Sequence, residues 1–181
     1  MKTDLVSKLI NDIEATNDAF NKATKAEKRV MIAKDCIERI KVELLVPNRG
    51  SLIKSEAMNV NKEVLNSVEC QVCAKGGLFA SYVGRVNNFD NRTSIVCGWN
   101  SPKDELHTKL SEIFTYKQLS LIEMAFEGRK YLDRDNKGNA IIFDNKTLDK
   151  AESYRNSFES ADECLIEICE NIIRNKGTFK L

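Results

Sequence analysis

The sequence predicts an all-α fold: a compact bundle of about six helices with a small β-hairpin insertion. Three observations carry this expectation. The 181-residue chain holds only 2 prolines and 8 glycines, few enough breakers to allow long helices. Apolar residues recur at three- and four-residue steps over most of the length, the period of a helix face. The clearest punctuation marks, Ser101-Pro102, Thr115-x-x-Gln118 and Gly128, are helix starts and a helix stop.

A chain of this length is expected to form one domain. Its parts are an N-terminal helical pair (1–46), central helices (60–128), a hairpin (129–146) and a C-terminal helix (147–176). Leu5, Leu9 and Ile13, with Val6 and Ile10 beside them, give a first amphipathic helix from Thr3 to Phe20. Thr24 and Glu27 form a capping box for the second helix, whose apolar face is Val30, Ala33, Ile37, Ile40 and Leu44 and whose end is set by Pro47 and Gly50. The linker from Pro47 to Asn59 has room for one short extended piece. Asn61, with Val60 and Leu65 as a staple, starts a third helix that runs unbroken to Val86. Ser101 and Pro102, followed by Asp104, cap the next helix. Thr115 and Gln118, with Phe114 and Leu119, give a capping box and a staple for the one after. "KYLDRDNKGNAIIF" reads as a hairpin with "NKGN" at its turn. A single last helix spans Thr147 to Asn175, with Phe158, Leu165, Ile168, Ile172 and Ile173 inward and Gly177 closing it.

The composition excludes several classes of function. Lys and Arg number 28 against 27 Asp and Glu, a net charge of +1, so bulk nucleic acid is not an expected partner. No apolar run reaches the roughly 18 residues of a membrane span, and the N-terminus lacks the apolar centre of a signal peptide. A cytoplasmic protein with no membrane partner is expected. Its 6 cysteines should then be free thiols or metal ligands rather than a disulfide framework.

The stretch "CQVCAKGGLFASYVGRVN" is the most unusual in the chain. On a helix, Cys70, Cys73, Gly77, Ser81 and Gly84 would form one stripe of small side chains. Glycine within a helix costs about 1 kcal/mol relative to alanine, so something should cover that stripe. One reading is close helix–helix packing with the cysteines as fillers. The other is a ligand site formed by Lys75, Gly76, Gly77, Ser81 and Arg85, with Trp99 from a nearby loop. It is not a phosphate-binding P-loop, because its lysine precedes the glycines. A third reading joins Cys70 and Cys73 to Cys97 and His107 as a Cys3His zinc set. No cofactor is expected otherwise. Thioredoxin-like chemistry would need a strand before the CxxC.

Other candidates are weaker. His107 is the only histidine, and a Cys97–His107 nucleophile pair has nothing to activate it. Asp133, Asp135, Gly138 and Asp144 fall at calcium-loop spacing, but Lys137 stands where an oxygen ligand belongs. The carboxylates Glu123, Glu127, Glu163, Glu167 and Glu170 read as solvated helix faces. Trp99 serves either to stack on a base or to pin its loop to the core.

"AKDCIERI", "CQVCAKGGLFASYV", "LIEMAFEG" and "ENIIRNKGTF" occur in this order from Ala33 onward. Together they resemble a family of small, uncharacterised phage and prophage proteins with the pattern CxVCAxGxLFxSxV, LIExAFEG and NIIxNxGxF. The resemblance implies a phage accessory protein made in the bacterial host cytoplasm, and it carries over no catalytic residue. With catalytic, metal and phosphate-loop sets eliminated and the cost of the helical glycines to be met, the expectation is a non-enzymatic counter-defence binder, a homo-oligomer, that sequesters a small nucleotide-type immune signal. The alternative is a protein–protein module that inhibits a host protein, and the third reading is a small hydrolase.

Overall fold

The computed structural model describes residues 2–50, 53–54, 62–67, 69–86, 110–128, 134–135 and 137–181. Among these the chain is mostly helical, with eight helices and one three-stranded sheet. The Asn61 and Ser101 caps, Trp99, Cys97, His107 and Asp133 lie outside the described residues.

The N-terminal helix divides in two, α1 (Lys2–Ala15) and α2 (Asn17–Lys22). The break is at Thr16, whose hydroxyl donates to the carbonyls of Asp12 (3.2 Å) and Ile13 (3.0 Å). Such back-bonding competes with the helical ladder. α3 (Lys25–Lys41) starts with the expected capping box: Thr24 Oγ1 accepts from the Glu27 N–H, and Glu27 accepts from the Thr24 N–H. It stops earlier than Pro47 and Gly50 suggest. Glu43 is left-handed (φ 58°), its N–H donates to the Ile40 carbonyl, and the Leu44 N–H donates to that of Arg39. This is a Schellman stop with glutamate where glycine is usual.

The released chain becomes β1 (Leu45–Pro47), followed by β2 (Ile53–Lys54) and α4 (Lys62–Ser67). The expected unbroken helix to Val86 is not formed. Cys70–Val72 is a strand, β3, and only Ala74–Arg85 is helical, as α5. β3 is the central strand, parallel to β1 and antiparallel to β2. Cys70 and Val72 are buried and Gln71 is half-buried, the alternation of a strand with one covered face. Pro47 is tolerated because β1 is an edge.

α6 (Tyr116–Glu127) is capped by Thr115, which accepts from the Gln118 N–H at 3.1 Å. The reciprocal half of that box is absent, since Gln118 Oε1 is buried without a partner. Gly128 ends the helix in the left-handed region, φ 69°. Around "NKGN" there is one isolated bridge, Arg134 to Ala140, and a turn with Gly138 at φ 82°. The expected single C-terminal helix is two, α7 (Asn145–Asn156) and α8 (Ala161–Arg174). A second capping box, Ser160 with Glu163, restarts the chain between them.

α3, α5 and α8 meet at the centre. Ile32, Cys36, Leu78, Phe79, Leu165, Ile168, Cys169 and Ile172 form the heart of one core cluster. A Cβ on Gly77 would lie 3.2 Å from both Cys36 Sγ and Leu165 Cδ2. The helical glycine is therefore offset by close contact with two neighbouring helices, the packing reading of the small-residue stripe. α8 is closed by Lys176 (φ 51°) and Gly177 (φ 90°), and the latter sits directly against Ala26 of α3.

Candidate functional site

Of the residues singled out in the sequence, Lys75, Gly76, Gly77, Ser81 and Arg85 lie in α5 and Cys70 and Cys73 just before it, where other parts of the chain engage them; Trp99, Cys97 and His107 lie outside the described residues. Cys73 is the N-cap of α5, and its sulfur accepts from the Gly76 N–H at 3.5 Å. The Lys75 N–H donates to Glu123 Oε2 at 3.2 Å, and the Cys73 thiol also hydrogen-bonds that carboxyl. Glu123 of α6 thus caps α5 from a different element, where the partial positive charge of the helix start favours it. Glu123 is only 3% exposed and Glu127 6%, so these two carboxylates are interior groups rather than a solvated face. Glu127 Oε1 accepts from the Gly50 N–H at 2.8 Å. Glu163, Glu167 and Glu170 do lie at the surface, Glu163 in its capping box and the other two beside Arg174.

Burial is the main influence on the Glu123 carboxyl and pushes it above the usual carboxylate range, against the Lys75 charge and the Cys73 hydrogen bond. Burial also pushes the Cys73 thiol well up. A raised carboxyl is more readily protonated in the folded protein than in the unfolded chain. Its stabilising contribution is full below the ordinary glutamate range and is lost as pH rises through the folded value. Glu123→Gln should therefore raise the melting temperature at pH 7 to 8. The difference from wild type should shrink toward pH 4, as read by a melting series across pH.

Ser81, fully buried, donates its hydroxyl to the Gly77 carbonyl at 2.9 Å. Arg85 makes a two-pronged ion pair with Asp35 of α3, Nη2 to Oδ1 at 2.7 Å and Nε to Oδ2. Its Nη1 donates to Thr16 Oγ1 at 2.9 Å, and its guanidinium stands over the Phe20 ring. One turn along α3, Arg39 is 0% exposed. It donates to the Leu65 carbonyl and to Asn66 Oδ1, each at 2.7 Å. A Cβ on Gly84 would overlap Arg39 Nη2, so this glycine makes room for a guanidinium. Burial pushes Asp35 up and Arg39 down from their ordinary values. Sequence reading missed Asp35, Arg39 and Asn66. The available signal was an acid and a base four apart in "DCIER", flanked by the buried Ile32, Cys36 and Ile40.

The Asp135 carboxylate accepts from the Lys137 and Asn139 N–H groups, and Asp144 caps α7 through the Thr147 N–H. These two acids of the calcium-like spacing thus serve a turn and a helix start. No group of three or more metal-ligating side chains occurs among the described residues. Cys70 and Cys73 are both fully buried.

Two surface depressions are formed by described residues. The first, about 550 Å³, lies between α1, the end of α3 and the α4–β3 junction. Val6, Ile10 and Leu44 supply its apolar surface, and Thr3, Ser7, Asn11, Asn66 and Ser67 its hydrogen-bonding groups. Glu43 and Glu69 add carboxylates, and Lys2 Nζ bonds Glu43 Oε2 at 2.7 Å across it. Asn66 is held from below by Arg39. The second, about 740 Å³, is a more apolar groove between α2, α3 and the end of α8. Lys75, Gly76, Gly77, Ser81 and Arg85 line neither.

No protein family, curated protein or solved structure matches this chain. No helix among the described residues is long and apolar enough to cross a membrane.

Proposed function

We propose that this protein is a non-enzymatic binder of a small polar molecule, held in the cavity beside α1. The observation that carries the reading is the cavity's make-up: an apolar floor of Val6, Ile10 and Leu44 under a rim of amides and hydroxyls. Its volume of about 550 Å³ falls within the range of small-ligand sites, which combine an apolar lining with a few placed polar groups. A nucleoside fits this description, with the base on the apolar floor and its edges toward Asn11 and Asn66. The Glu43 and Glu69 carboxylates repel phosphate, so the phosphates of a nucleotide would point to solvent. The buried groups that resemble catalytic residues, Glu123 and Cys73, use their hydrogen bonds to cap α5. In a phage setting, sequestering a nucleotide-type immune signal is the use the sequence resemblance suggests.

The test is equilibrium dialysis of the pure protein against nucleosides, linear nucleotides and cyclic dinucleotides, followed by heat release and mass spectrometry. The reading expects one class to be depleted and returned intact. Ser7 lies on the exposed side of α1, so Ser7→Trp should fill the cavity without unfolding the chain and weaken retention at least about tenfold. Depletion of nothing, conversion of the ligand, or undiminished retention by Ser7→Trp would each overturn it.

A further inference from the structure

α1 is packed less tightly than the helices it precedes. Of its residues only Ile13 is buried. Val6 and Ile10 face the cavity described above. Leu5, Leu9 and Asp12, at i, i+4 and i+7, form a separate ridge on the same helix. Leu5 is 53% exposed, one of only two large hydrophobic side chains exposed among the described residues, while Leu9 is half-buried and Asp12 exposed.

The second depression is complementary to this ridge. Val30, Met31 and Ile173 supply its apolar lining, and the small side chains of Ala19, Ala23 and Ala26 keep it open. Lys22, Lys176 and Glu27 border it. The Glu27 carboxylate is committed to the start of α3, where it accepts from the Thr24 N–H and hydroxyl. Neither the Lys22 nor the Lys176 ammonium has an ion-pair or hydrogen-bond partner among the described residues. The border thus carries two ammonium groups against one carboxylate, a net positive charge. An apolar helix edge that carries a carboxylate matches it.

We infer that the occupant is a second copy of this chain: the Leu5–Leu9 ridge of each protomer seats in the α2–α3–α8 groove of its partner, with Asp12 toward the lysines. The inferred assembly is two-fold: ridge and groove then form one self-complementary patch, the contact is made twice, and the assembly closes as a dimer rather than growing as a filament. Doubling matters, because a single helix edge buries less than a stable interface needs. The contact would also hold the α1 wall of the small-molecule cavity, although it does not depend on that cavity having a ligand.

The experiment is sedimentation velocity on the full chain over a concentration series up to about 100 µM, a range that brings mass action into view. Wild type should run as a dimer. Leu5→Glu, at an exposed position, and Val30→Glu, in the groove, should each give a monomer with an unchanged far-UV spectrum. Asp12→Lys should weaken the dimer at low salt, and adding Lys22→Glu and Lys176→Glu should restore it. A monomeric wild type, or a dimer that survives both Leu5→Glu and Val30→Glu, would overturn the inference. Ligand retention by Leu5→Glu at high protein concentration reports separately on the cavity.

Discussion

Asp35→Ala is expected to cost about 3–5 kcal/mol, because it leaves the Arg85 guanidinium buried without its counter-ion. Arg85 is held in α5 by two contacts to Asp35 and one to Thr16. Arg39, equally enclosed, stands one turn from Asp35 and supplies a second positive charge to the same interior. Removing the one carboxylate therefore leaves two cations facing each other in a poor solvent for charge. Urea denaturation measures the loss. Asp35→Leu combined with Arg85→Met should recover most of it, since an apolar pair of similar size is often no less stable than a buried ion pair. A single Asp35→Ala variant within about 1 kcal/mol of wild type would show that water reaches Arg85, a result the burial does not allow.

Gly177→Ala should be comparably damaging, at about 2–4 kcal/mol. Gly177 has a φ of 90°, where side chains are strained. A Cβ there would overlap the Ala26 carbonyl oxygen and lie 3.0 Å from the Ala26 carbonyl carbon and Cα. Those atoms are backbone within α3, so they cannot rotate away. Gly138→Ala is the control for strain alone: its φ is 82°, but nothing lies within 4 Å of the added methyl. The difference between the two variants isolates the helix contact.

The features legible in the sequence were those written in a few consecutive residues. Thr24 and Glu27, Thr115 before α6, and Gly128 after it are local devices, and each ends or starts a helix where expected. The strand at Cys70–Val72 was not legible. A three-residue apolar alternation suits helix and strand alike, and its partners are Leu45–Pro47 and Ile53–Lys54, far back in the chain. The Ser160 box was masked by an apolar period that runs through it in register. The predicted ligand group shows the same limit. Lys75, Ser81 and Arg85 are close together on α5, but what they face is set by Glu123 and Asp35, about 50 positions away in opposite directions. The small cavity beside α1 had no signature at all. It is formed by three separated segments, and none of its polar residues is unusual for an exposed helix.

The contact of Gly177 with Ala26 and the long α3–α8 interface join the first third of the chain to its last few residues. During translation α3 is made well before α8, and Ile32, Cys36 and Ile40 stay bare until α8 follows to cover them. Domains with such distant closure fold slowly and are exposed to chaperones and proteases while nascent. A stop codon placed even a few positions before Gly177 should therefore yield degradation products rather than a shortened but folded protein.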